Sequence, residues 1–194
     1  MIKIAYKKSK ADANCIGFWC LFWIVKRGNG MDIKENISEN MQKHFNYKEQ
    51  FKRLNKAIDN NFYLEAIFIE YAIIEDRAES ILLYENNEIK SDSFVSIDRK
   101  LNKIIKLAEN KKSLPHRYFS DGIINEILEW KECRNQMIHA LMKQHLTTQA
   151  LEELALRGEH LAKEICKRST NYKRAAKRNN LQESSAKKLL NIFI

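Results

Sequence analysis

Proline and glycine are scarce in this chain, with one and five copies in 194 residues. A many-stranded β-fold needs turn chemistry at each reversal, so this shortage argues against one and favours long helices. Cysteine is sparse too. Cys15, Cys20, Cys133 and Cys166 show no C-x-x-C spacing. They read as reduced thiols of a cytoplasmic protein, not as a disulfide frame or a zinc site. The apolar run from Cys15 to Val25 covers 11 residues, short of the about 20 that a spanning helix needs. The order basic-then-apolar imitates a signal peptide, but the following KRGNG is a poor match to a small-residue cleavage site. No stable membrane span is expected. His44, His116, His145 and His160 lack metal-ligand spacing, so neither a metal nor another cofactor is expected.

Charge is abundant and unevenly placed. The net formal charge is +9. Residues 1–30 hold six Lys/Arg against one Asp, and residues 157–194 hold ten against three Glu. The middle, with 18 Lys/Arg and 21 Asp/Glu, is close to neutral. Basic ends suit a polyanionic partner such as RNA, or they simply keep the termini solvated.

Residues 1–30 do not resemble the rest. They read as an atypical extension: a start placed upstream of Met31, or an apolar appendage. Residues 31–168 read as a helical domain and 169–194 as a basic tail or helix. Within the domain the apolar periodicity predicts a short polar helix over Asp32–Phe45 and an amphipathic one over Tyr47–Ile58. Asp59, Asn60 and Asn61 then offer a break. The segment 62–84 is apolar nearly all the way round between Ala66 and Ile74, so it should be the central, buried helix. Residues 85–94 read as a loop. Val95–Glu109 is amphipathic, with its lysines and arginines opposite the apolar stripe. Pro115 marks another loop. Ser120 should cap a helix from Asp121 to about Lys143, and Thr147 or Thr148 should cap one running to about Arg168. The fold class is all-α, a bundle of about four core helices with flanking helices at both ends.

The segment ECRNQMIHALM (132–142) stands out. On the predicted 121–143 helix the apolar stripe runs Ile123, Ile127, Trp130, Arg134, Met137, Leu141, with steps of three and four. Arg134 therefore occupies a position that asks for an apolar side chain, and a buried-side arginine needs a partner. Asn135 and His139 are four apart and share a face. Arg134 lies about 140° round from His139, but its long guanidinium can bend towards it. Histidine exchanges protons near neutrality. Arginine offers a fork of donors to phosphate oxygens, and asparagine orients neighbours without adding charge. A proton shuttle plus a phosphate clamp suits attack of an RNA 2′-hydroxyl on the adjacent phosphodiester, with His139 as base or acid and Arg134 stabilising the phosphoryl charge. A second histidine would come from a symmetric dimer. The bland reading is a salt-bridged arginine beside a surface histidine.

RNQMIH (134–139) resembles the R-x4–6-H motif of the HEPN superfamily, in its form with Asn after the Arg. The helix IEYAIIEDR (69–77) is similar to the companion helix of small bacterial members. The resemblance covers roughly residues 45–170. It implies an all-α bundle, metal-independent endoribonuclease activity with Arg134, Asn135 and His139 as the active residues, and a homodimer through the helix that carries them. It also implies a role in toxin–antitoxin or anti-phage systems, with an antitoxin or regulatory protein as partner. Members that pair with a nucleotidyltransferase antitoxin often carry tyrosine two residues after the histidine; here Leu141 stands there, which puts that mode of control in doubt. The family also contains members that bind RNA, nucleotide or protein without cleaving, and this alternative stays open.

Supporting residues follow from charge. Glu70, a carboxylate within an apolar helix, wants a cation, and either Glu70 or Asp76 could position Arg134. Lys143 lies one turn past His139. Lys173, Arg174, Lys177 and Arg178 could track an RNA backbone, with Tyr172 stacking a base.

Overall fold

The computed structural model describes residues 39–85, 95–143 and 146–190, with side chains from 41 to 181. The extension 1–30, the predicted helix start at Asp32, nearly all of the 85–94 loop, His145 and the last four residues lie outside the described residues. Among the described residues every regular element is helical. The elements are α1 (Glu39–Asp59), α2 (Tyr63–Tyr84), α3 (Ile97–Glu109), α4 (Leu114–Phe119), α5 (Ile123–Ala140) and α6 (Thr148–Leu190). None is long and apolar enough to cross a membrane.

α1 runs unbroken through the boundary expected at Asn46. Asparagine is a weak helix former but no breaker, and the Asn46 side chain accepts from Gln42 Nε2 at 3.0 Å, one turn back. The Asp59–Asn61 break is real and has a definite geometry. Asn61 takes a left-handed backbone with φ 61°. Its N–H donates to Ile58 O at 3.0 Å, and that of Phe62 to Ala57 O at 2.8 Å. This is the Schellman pattern, which satisfies carbonyls orphaned at the helix end.

α2 is the central helix. Its buried residues step round it as Ala66, Ile67, Glu70, Ile73, Ile74, Ala78, Ile81 and Leu82, and α6 packs along it. α3 joins through its apolar stripe, but Lys100 corrects the expectation that its basic residues all face away. Lys100 is buried, and its ammonium reaches Glu79 at 2.8 Å and Glu75 at 3.2 Å on α2. Lys131 of α5 similarly reaches Asp98 of α3 at 2.6 Å.

Pro115 opens a helix instead of a loop. It sits in the first turn of α4, where its missing N–H costs nothing, and Ser113 caps that turn by accepting from His116 N at 3.3 Å. Ser120 therefore ends α4 and does not cap α5. Gly122, at φ 95°, makes the reversal into α5, a conformation that other residues avoid. Thr147 caps α6, its Oγ1 accepting from Ala150 N at 3.2 Å.

α6 is 43 residues long and runs through the expected stop at Arg168. Its buried stripe continues as Ile165, Ser169, Tyr172 and Ala176, so 169–181 belongs to the same packed unit as the domain. Ser169 hides this from the sequence, yet its hydroxyl is satisfied within the helix by Cys166 O at 3.1 Å. Tyr172 is fully buried and meets Phe119, Tyr84 and Tyr118 edge-on at 5.6, 5.9 and 6.2 Å.

A tight junction lies at Gly158. A β-carbon there would come within 2.7 Å of Trp130 Cζ2 and closer still to the Glu70 carboxyl. Trp130 Nε1 donates to Leu154 O at 3.0 Å, tying α5 to α6 one turn away. Glu70 is fully buried and its oxygens accept no hydrogen bond. Burial, with the nearby charge of Glu159, pushes its carboxyl up to about 9, so it is neutral at pH 7.

Two outcomes follow. Gly158→Ala should overpack the junction and lower stability by about 1–3 kcal/mol, read by urea denaturation. Unfolding exposes Glu70 to water, where it ionises near its ordinary 4.5. Between 4.5 and about 9 the unfolded chain thus binds fewer protons than the folded one at this group, which makes stability fall as pH rises. Glu70→Met should flatten that part of the pH–stability profile; an unchanged slope would refute a neutral Glu70.

Candidate functional site

The residues singled out at 134–139 occupy the C-terminal part of α5. The helix ends at Ala140, three residues earlier than the periodicity predicts, so His139 lies in its last turn. Arg134 and Asn135 are half-buried and His139 is exposed. Arg134 Nη1 donates to Asn135 Oδ1 at 3.1 Å, and Asn135 sits one turn below His139 on the same face. The guanidinium is thus bonded to an amide on the helix face that also carries the imidazole.

Arg134 is seated against aromatic rings of α2. Its guanidinium carbon lies 4.3 Å from the centroid of the Tyr71 ring and 5.4 Å from that of Phe68. A cation over an aromatic face is attracted by the ring quadrupole, and the planar guanidinium stacks well there. This explains how an arginine fits the apolar stripe.

The carboxylates expected to position Arg134 do not contact it. Glu70 is about 100° round α2 from Tyr71 and points at Gly158 and Trp130. Asp76 faces α1, where it binds Lys43 Nζ at 3.0 Å, Arg77 Nη2 at 2.9 Å and the Tyr47 hydroxyl. Burial opposes ionisation of Asp76, but the hydrogen bonds from Tyr47 and Lys43 outweigh it and hold its carboxyl below the usual range. Phe68 and Tyr71 are the residues that the sequence reading missed. Their i, i+3 spacing puts two rings on one side of α2, but no sequence signal says that this side meets α5.

The basic residues divide. Lys143 is exposed just beyond α5, its N–H bonded to Ala140 O at 2.9 Å, beside Met142, which is 95% exposed. Lys173 is half-buried, while Arg174, Lys177 and Arg178 are exposed on α6. Tyr172 cannot stack a base, because it is in the core. α5 and α6 are antiparallel: Asp121 pairs with Arg168, and Trp130 bonds to Leu154. His139 is therefore level with the start of α6, and Lys173 lies 25 residues further on, roughly 37 Å along the axis at 1.5 Å per residue. Within one chain the structure does not bring the 173–178 cluster to His139. Among the described residues no cluster of His, Cys, Asp and Glu is suited to hold a metal ion.

Comparison of this chain with family models, with curated proteins and with solved structures finds no match.

If the rings of α2 hold Arg134, a double-mutant cycle of Arg134→Met and Tyr71→Leu should return a coupling of about 0.5–2 kcal/mol in urea denaturation. Additive effects would mean that the stacking contributes nothing.

Proposed function

We propose that the protein is a metal-independent endoribonuclease whose reactive group is His139, with Arg134 as phosphate clamp and Asn135 as the link that orients them. The observation that carries this reading is the Arg134–Asn135 hydrogen bond at 3.1 Å on the face that leads to an exposed His139. A permanent cation and a proton-exchanging ring on the same end of one helix suit a phosphodiester.

In the proposed reaction His139 removes the proton of a ribose 2′-hydroxyl. The 2′-oxygen bonds to the adjacent phosphorus while the bond from phosphorus to the 5′-oxygen breaks. The leaving 5′-oxygen takes up a proton, and the products are a 2′,3′-cyclic phosphate and a 5′-hydroxyl. Arg134 stabilises the charge that builds on the non-bridging oxygens, where a fixed donor acts with no reorganisation. One imidazole serves both proton transfers poorly, so a second copy of the chain, docked through α5, is proposed to supply the other His139.

The purified protein should cut single-stranded RNA in EDTA, leaving cyclic phosphate ends. His139→Ala and Arg134→Ala should each reduce the rate by about 10²–10⁴-fold without changing the circular dichroism. Intact RNA in the presence of folded wild-type protein would instead favour a module that binds without cleaving.

A further inference from the structure

Lys173 is an inward-facing lysine that shares its facing carboxylate with two other cations. It is half-buried where α1, α2 and α6 meet. Its ammonium donates to Ser80 Oγ and lies 6.0 Å from the centroid of the Tyr84 ring. Among the described residues it forms no ion pair with a carboxylate. The one acidic group facing it at this junction is Asp76, which is already shared by Lys43 of α1 and Arg77 of α2. Among the described residues three cations face one carboxylate, a local charge of about +2.

The contrast with the other inward-facing lysines is informative. Lys100 meets two glutamates and Lys131 meets Asp98. Partly burying an ammonium without such a partner is costly, and structural lysines in this fold do not do it. Burial, together with the charges of Arg77 and Lys43, pushes Lys173 down to about 8. An arriving anion would reverse that repulsion.

The parts suit a particular anion. The Arg77 side chain is 13% exposed and locked by Asp76 and by Tyr47, whose oxygen accepts from its Nε, so it supplies a fixed field. Lys43, 45% exposed, and Lys173 reach from two different helices as point charges. Ser80 accepts from Lys173 and keeps its own hydroxyl proton to donate. Several donors converging from separate helices on a +2 junction fit tetrahedral oxygens carrying up to two negative charges better than a planar monoanion.

We propose that Lys43, Arg77, Ser80 and Lys173 form a phosphoryl-binding site at the α1–α2–α6 junction. The phosphoryl group is either a free di- or triphosphate or a phosphodiester of a strand that continues along Arg174 and Lys177. The site is far along α6 from His139, and it stands whether or not His139 cleaves RNA.

The test is calorimetric titration of the full-length protein in phosphate-free buffer with two probes. One is inorganic pyrophosphate; the other is a 2′-O-methyl RNA strand of about 12 nucleotides, which cannot be cleaved through its 2′-position. Lys173→Gln and Lys43→Gln should each weaken the bound probe at least about tenfold, while Lys103→Gln, exposed on α3, leaves it unchanged. Binding of pyrophosphate assigns a free phosphoryl ligand. Binding of RNA alone, with the salt slope falling by about 0.7 for each lysine removed, assigns a phosphodiester. Binding of neither probe overturns the site, as does wild-type affinity in folded Lys173→Gln or Lys43→Gln. Lys43 is exposed, so its substitution keeps the test open if Lys173→Gln fails to fold.

Discussion

The close approach of α2 and α6 at Gly158 governs where the other helices can lie. Without a side chain at that position the backbone of α6 comes within van der Waals reach of Glu70 and Trp130. Trp130 then bonds to Leu154 O and sets the register of α5 against α6. That register carries Arg134 to the Tyr71 and Phe68 side of α2. A side chain at Gly158 would push on the Trp130 ring and so on the helix bearing the candidate site. Glu70 fits this junction only as a neutral acid, since a buried carboxylate with no donor would face the full desolvation penalty.

The inward-facing cations are met in different ways, and the difference separates support from ligand-readiness. Lys100 and Lys131 bridge helices through carboxylates, geometry that satisfies the charge and pins α3 between α2 and α5. Arg134 lies over ring faces and donates to the Asn135 amide. Lys173 meets a hydroxyl and lies over the Tyr84 ring. The chain thus holds two electropositive features, one at each end of the antiparallel α5–α6 pair. In the functional reading one acts on a phosphodiester and the other binds a phosphoryl group.

Much of the fold was legible before any coordinates. α2, α3 and α5 fall within about three residues of their predicted bounds, because an apolar stripe of period 3.6 can hardly be buried in any other way. The misreadings share a cause: a local polar signal was given more weight than its neighbours allowed. Asn46 read as a boundary but lies inside α1, Ser120 read as a cap but ends α4, and Ser169, placed just outside the domain in a tail or helix, faces the core. Pro115 read as a loop, although proline is at home in a first helical turn. In the candidate site the oddity of Arg134 was legible, since arginine on an apolar stripe demands a partner. The partner was not: Glu70 and Asp76 point elsewhere, and the Tyr71 and Phe68 rings lie against the guanidinium.

The sequence by itself determined that this is an all-α chain with a central α2, and that Arg134, Asn135 and His139 crowd one end of a helix. Periodicity encodes which face of a helix must leave water. It carries no information about which other helix covers that face. Only the tertiary structure decided that Tyr71 lies under Arg134, that Glu70 lies against Gly158 and that Tyr172 is core. It also placed Lys173 beside Lys43 and Arg77, residues 130 and 96 positions earlier in the chain. Such contacts arise from packing between helices distant in sequence, where shape and charge are matched across a gap that no local pattern records.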